Sequence, residues 1–304
     1  MARDDAGECG GSACILYLYV VYGGLLMVRF VNNMKTVLLL GGMMGLFLVV
    51  GAQFGKGGLL IGLLLGGVMN LVAWFFSDTI AIKSMRCVEV FADTPGPGGA
   101  LYRMVDGLRQ RAELPMPRVY ISPTQAPNAF ATGRSPKKAA VCATEGAMRL
   151  LNDREMRGVM AHELAHVKNR DTLISCIAAM IAGVLSYFAQ FGLMFGGGNR
   201  NGNPIFSLAA LILAPLAAAL LKAMISRSRE FVADADGAAI AGEPDGLISA
   251  LQKLEATAKR VPMQTHNPAM NNMFIVEPFL GGLGNMFASH PPTAKRVAAL
   301  SQLR

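Results

Sequence analysis

The sequence predicts a mainly α-helical membrane protein that carries a smaller α+β part on one side of the bilayer. Three observations support this. Hydrophobic residues make up 53% of the 304-residue chain and charged residues only 16%, with a mean hydropathy of +0.40, so much of the chain needs a non-aqueous surrounding. Four long uncharged windows, residues 36–55, 57–77, 172–199 and 201–221, can each cross a hydrocarbon layer of ~30 Å at ~1.5 Å per helical residue. The flanking cations are also one-sided. Lys35, Lys83, Arg86, Arg154, Arg157, Lys168, Arg170, Lys222, Arg227 and Arg229 fall on one side of a four-span arrangement, and only Lys56 and Arg200 on the other. The positive side is expected to be cytoplasmic.

Along the chain, residues 1–33 read as an N-terminal extension, arising from an upstream start or holding a fifth span at residues 12–28. Their acid-rich opening, "MARDDAGEC", is unlike the basic start of a secretory signal, and Met34-Lys35 resembles a natural start. Residues 34–77 form the first two spans. The glycines of "LLLGGMMGLF" and "LIGLLLGGVMN" are costly in a soluble helix and common where membrane helices pack closely.

Residues 78–171 form a first polar block. It is expected to hold a helix over 99–112, a strand around "PRVYIS", a loop at "PNAFATG", an extended segment "AAVCAT" and a helix from about Asp153. Asn152–Asp153 supplies the N-cap of that helix and Glu155 lies in its first turn. Residues 172–221 form an antiparallel helical hairpin around "GGGNRNGNP". Residues 222–304 form a second, mainly helical polar block with a loop near "THNPAMNNMF".

The net charge of +8 does not imply nucleic acid, because the cations flank apolar runs and no basic tract or stacking motif accompanies them. The five cysteines, Cys9, Cys14, Cys87, Cys142 and Cys176, are scattered and odd in number. They suit reduced thiols facing a cytoplasm, not a disulfide framework or a cysteine zinc site.

The chemistry concentrates in "VMAHELAHVKNRD". His162 and His166 are four residues apart, so on a helix their rings share a face and can hold one metal ion, with Glu163 placed to take a proton from a water. The bland alternative is a surface helix with two ordinary histidines. The apolar residues around them argue against it, since unliganded imidazoles there would be poorly solvated. The hairpin proposes a third ligand. At ~1.5 Å per residue, Glu230 in "SRSREFVADADG" returns to within ~8 Å of the height of His166. Asp234, one turn on, can hydrogen-bond the far nitrogen of a ligand histidine.

"PNAFATG", "HELAHVKNRDT", "SREFVADADGA" and "SHPPTAKR", in this order and with four spans, closely resemble the HtpX family of bacterial membrane zinc metalloproteases. The resemblance covers nearly all of residues 34–304. It implies a cytoplasmic α+β zincin-like metalloprotease domain on four or five transmembrane helices in the cell inner membrane. It implies one Zn²⁺ held by His162, His166 and Glu230, with Glu163 as the catalytic acid/base and Asp234 steadying a ligand histidine. It also implies protein substrates, membrane proteins among them, and a role in quality control of misfolded or damaged chains. His290 and Arg296 become candidates for stabilising the oxyanion or contacting the substrate backbone. Asn128 and the backbone of "AVCA" are candidates for holding a substrate as an added strand. The corresponding structural roles for these residues are a loop cap, a helix start and an ordinary turn and core strand.

Two rivals are expected to fail. A prenyl-protein protease of related chemistry encloses a chamber with seven spans, more than this chain offers. A non-catalytic membrane scaffold with structural zinc needs four protein ligands, and the sequence supplies three plus an acid placed as a base.

Overall fold

The computed structural model describes residues 55–172, 227–258 and 291–304, with residues 34, 37, 38, 40–45, 47, 48, 51 and 52 of the first apolar window. The window at 12–28, the hairpin beyond Thr172, the loop near residues 265–274 and His290 lie outside the described residues.

Helix α1, Gly55–Ser84, contains the stretch Gly55–Phe76, which is long and apolar enough to cross a membrane. Its leucines are exposed on several sides, Leu59, Leu60, Leu63 and Leu65 among them. Glycine matters here at particular positions. A Cβ on Gly62 would stand 2.3 Å from the Phe47 carbonyl oxygen, and one on Gly66 would stand 2.9 Å from Met44 Sδ. Among the described residues, nothing lies within 4 Å of a Cβ on Gly41, Gly42 or Gly45, so the close approach seen there uses only part of the glycine-rich pattern. Asn70 Nδ2 donates to Leu40 O at 3.0 Å across the same contact.

α1 runs two turns past its apolar window and docks on a four-stranded sheet. Asp78 accepts from Arg118 at 2.8 Å, and Ser122 Oγ donates to Met85 O at 2.7 Å. Arg86, at φ 51°, turns the chain into β1, Val88–Val90. Helix α2, Pro97–Arg111, follows, started by a proline that suits the first helical turn. Then come β2, Arg118–Ser122; β3, Ala129–Thr132; a 3₁₀ turn, Pro136–Lys138; and β4, Ala140–Thr144. The strand order is β1-β2-β4-β3, with β2 and β4 parallel and the other pairs antiparallel.

This order corrects two expectations. "PNAFATG" is not simply a loop, because Ala129–Thr132 forms β3. β4 also cannot offer its backbone to a substrate, since both of its edges are paired, to β2 and to β3. Among the described residues the sheet therefore ends at β3, beside the helix that carries the histidines.

The two sheet faces bury different things, as the two-residue strand period requires. Val119, Ala131, Val141 and Ala143 join the main core with α2 and the following helices. Tyr120, Phe130, Ala140 and Cys142 form a small second core with Ile82, Met85 and Cys87 at the end of α1.

After β4, Thr144 caps α3, Glu145–Leu150, through Ala147 N. Helix α4, Asp153–Asn169, is the centre of the main core. Asn152 caps its start, as expected, and with Glu155 makes a reciprocal capping box; Glu155 also accepts from Ser249 and Lys253. Helices α5, Arg227–Ala241, and α6, Asp245–Ala258, pack against α4, and α7, Thr293–Ser301, closes over α5 and α6.

Candidate metal centre

The one-turn spacing of His162 and His166 on α4 puts both rings on one face, 4.6 Å apart between centroids and nearly perpendicular. Their Nε2 atoms are 3.1 Å apart. From α5, Glu230 brings one carboxylate oxygen within 3.8 Å of His162 Nε2 and the other within 3.6 Å of His166 Nε2. One donor atom from each of the three residues lies within 4.8 Å of the other two. Two nitrogens bound to one tetrahedral zinc stand about 3.3 Å apart, close to the histidine spacing here. Glu163 is buried on the same helix between them.

α5 can lie this close because of a residue that the sequence reading did not single out. Gly237 meets the backbone of His162, and a Cβ there would be 2.9 Å from His162 Cα. Glu230, Asp234 and Gly237 thus make one stripe of α5 against α4.

The far nitrogens are held as well. His162 Nδ1 is 3.0 Å from Asp234 Oδ1. His166 Nδ1 is 3.1 Å from Asp171 Oδ2, a partner the sequence reading missed. α4 ends at Arg170 in the left-handed conformation, φ 59°, and this turn brings Asp171 back towards His166. The available signal was an acid just beyond the helix in "HVKNRD".

Arg296, expected to contact an oxyanion or substrate, is 1% exposed. Its Nε and one terminal nitrogen grip both oxygens of Asp234 at 2.8 and 2.6 Å, and its other terminal nitrogen is 3.6 Å from Glu230. Asn128 is also buried. Its backbone is tied to Thr144 by a donated bond of 2.8 Å to Oγ1 and an accepted one of 2.9 Å from Thr144 N.

The charge pattern calls for a cation. Burial disfavours a charged His166, yet Asp171, Glu230 and Glu163 outweigh it and raise this histidine to about 9. Burial keeps His162 below its ordinary value despite Asp234. Burial would likewise raise the Asp234 carboxyl, but hydrogen bonds from Arg296 and His162 hold it below the usual carboxylate value. A divalent cation would satisfy the same carboxylates that favour a proton on His166. Two imidazole nitrogens and a carboxylate, each histidine braced by an acid, form a donor set that suits zinc.

Fold and site together define a metallopeptidase. Comparison with known proteins agrees: the pattern of Peptidase family M48 matches residues 97–304. The Protease HtpX homolog of Burkholderia thailandensis is 48% identical over 279 residues, covering 90% of this chain and 97% of that protein. Its counterpart in Burkholderia ambifaria is 47% identical with the same coverage. The chain belongs to peptidase family M48 and, within it, to the HtpX proteases, and it is a hydrolase acting on protein substrates. A crystal structure of S. mikatae Ste24p overlays with a TM-score of 0.46 at 18% identity, covering 91% of this chain and 66% of that one.

Proposed function

We propose that this chain is a zinc-dependent endopeptidase of the inner (cytoplasmic) membrane that hydrolyses misfolded or damaged membrane proteins. The observation that carries it is the meeting of His162, His166 and Glu230 donor atoms within 4.8 Å, with Glu163 on the same helix. In this reading His162, His166 and Glu230 hold one Zn²⁺, which when bound supplies Lewis-acid activation of water and the peptide carbonyl. Glu163 takes the proton from the attacking water and returns it to the leaving amine. Asp234 and Asp171 fix which nitrogen of each histidine faces the metal, and Arg296 holds Asp234 in place instead of touching substrate. His290 retains its role at the oxyanion, on the sequence resemblance alone.

The substrate lies along β3, the strand that ends the sheet next to α4. Main-chain hydrogen bonds to such an edge accept many sequences, which suits a protease of damaged chains. Asn128 supports this edge through its bonds to Thr144. Residues 34–77 and 172–221 then lie in the membrane, and the polar blocks 78–171 and 222–304 form a cytoplasmic catalytic domain. α1 supports it, leading without a break from its apolar stretch to the sheet. The centre then lies at the membrane surface, within reach of chains stalled in the bilayer.

The test compares wild type with Glu163→Gln in detergent for zinc content and casein cleavage. Both are expected to hold one zinc, and the variant to lose roughly 10²–10⁴-fold in rate. Zinc in both without cleavage by either of casein or an unfolded membrane protein would favour a structural zinc.

A further inference from the structure

The cysteines that look scattered in sequence include a pair brought together by the fold. Cys87 follows the left-handed turn at Arg86, where α1 gives way to β1, and its N–H bonds back to Ile82 O at 3.0 Å. Cys142 is in the middle of β4, flanked by Tyr120 of β2 and Phe130 of β3. The two Sγ atoms are 3.3 Å apart in a hydrogen-bond contact, and both are free thiols. They belong to the small core on the far side of the sheet from the metal centre.

The two sulfurs are not equivalent. Cys87 is half-buried, whereas Cys142 is 1% exposed. The hydrogen bond from Cys142 holds the Cys87 thiol below its ordinary value against the opposing effect of burial, while burial pushes Cys142 up. An accessible, activated thiol beside a shielded one is the arrangement of an attacking cysteine and its resolving partner.

We propose that Cys87 and Cys142 form an oxidation site that peroxides convert to a disulfide, stapling the end of α1 to the central sheet. The Cys87 thiolate attacks one peroxide oxygen; the O–O bond breaks, hydroxide or alkoxide leaves, and it takes up a proton. Cys87 becomes a sulfenic acid. The Cys142 sulfur then attacks the Cys87 sulfur, the S–O bond breaks, and the departing oxygen leaves as water with the Cys142 proton. Two thiols supply two electrons, the peroxide accepts them, and the products are a disulfide, water and an alcohol or a second water.

The bond would join elements now linked by packing and by contacts such as Asp78–Arg118 and Ser122–Met85. It would brace β4, whose other neighbour is the edge strand β3. It lies apart from the metal ligands, so it adds a covalent link without consuming a group the reaction uses.

The test treats the purified full-length protein in detergent with hydrogen peroxide, then maps its peptides by mass spectrometry with and without dithiothreitol. A dithiothreitol-sensitive Cys87–Cys142 peptide is expected, with loss of both thiols. Cys142→Ala should instead accumulate a dimedone adduct on Cys87, and Cys87→Ser should leave Cys142 unmodified. Cys142→Ser gives a second route to the Cys87 adduct if the alanine variant folds poorly. The heat-denaturation midpoint should rise on oxidation and return on reduction in wild type alone. Persistence of both thiols, pairing of Cys87 with Cys9, Cys14 or Cys176, or a dimedone adduct on Cys142 in Cys87→Ser would overturn the proposal.

Discussion

Helices α1 and α4 lie in one chain but are stabilised in opposite ways. α4 has a reciprocal cap at its start and a left-handed cap at its end, and its buried polar side chains are met by acids from neighbouring segments. α1 has no acid in its first turn and exposes much of its apolar surface, and its close contact is made by glycine. α4 is positioned by charge and hydrogen bonding inside the protein. α1 depends on shape and on an apolar surrounding. Removing a polar partner should therefore be costly around α4, whereas adding volume should be costly around α1.

The largest effect is expected from Arg296→Met. It leaves Asp234 buried without its guanidinium and removes the positive charge 3.6 Å from Glu230, a loss of about 3–5 kcal/mol for a broken buried pair. Arg296→Lys should recover only part of this, because an ammonium cannot grip both Asp234 oxygens as a fork. Denaturation of the detergent-solubilised variants measures the loss. A wild-type midpoint for Arg296→Met would show that the polar centre does not rest on this pair.

Next comes Asp171→Asn, which keeps the shape but removes the charge beside His166. Metal affinity should fall about 10–100-fold, measured by competition with a chelator, with a loss in denaturation smaller than for Arg296→Met, because Arg229 also loses its carboxylate partner at 3.5 Å. The same centre predicts a pH dependence. His166 without metal titrates at about 9, so at neutral pH metal must displace a proton. Apparent affinity should rise with pH and level off above about 9, and calorimetry in buffers of different ionisation enthalpy should show proton release near neutrality. For Asp171→Asn the levelling should move to lower pH, because a charge that favours the proton has gone.

These residues also mark how far the sequence could be read. His162, Glu163, His166 and the Asn152 cap depend on spacing within one helix, and local periodicity reveals them. Glu230 required two windows to be read as a hairpin, and Asp234 followed from it by one turn. Asp171 was hidden because the left-handed turn at Arg170 breaks the period that would have aligned it. β3 was hidden because "PNAFATG" is built of turn-formers and small residues, and its place at the sheet end follows from the parallel β2–β4 pairing between distant segments. The role of Arg296 depended on the packing of α7 over α5, which no local pattern encodes.

Two glycine substitutions sharpen the contrast at a smaller scale. Gly62→Ala puts a Cβ against the Phe47 carbonyl oxygen and should lower stability by about 1–3 kcal/mol, with metal affinity unchanged. Gly41→Ala, with nothing among the described residues within 4 Å of its Cβ, should be close to neutral. Gly237→Ala forces α5 away from His162 and should weaken metal binding along with stability. Heat denaturation and chelator competition on the same preparations separate the two. Loss of metal affinity in Gly62→Ala would mean that the apolar helices and the metal centre are coupled.

The smallest effect is expected at the start of α4. Asn152→Ala removes the side-chain oxygen that accepts from Glu155 N at 2.9 Å, a cap worth about 1 kcal/mol. The loss should stay near that figure because the other half of the box survives. Glu155 can still accept from the backbone N–H of residue 152, and Ser249 and Lys253 continue to hold its carboxylate. Glu155→Ala would remove those three side-chain bonds while leaving the Asn152 cap in place, and should cost more. If the two variants prove equally destabilising in denaturant, the ties from α6 add nothing. The start of α4 would then be held by its own cap alone, as in an isolated helix, and the contrast with α1 would narrow to the metal centre.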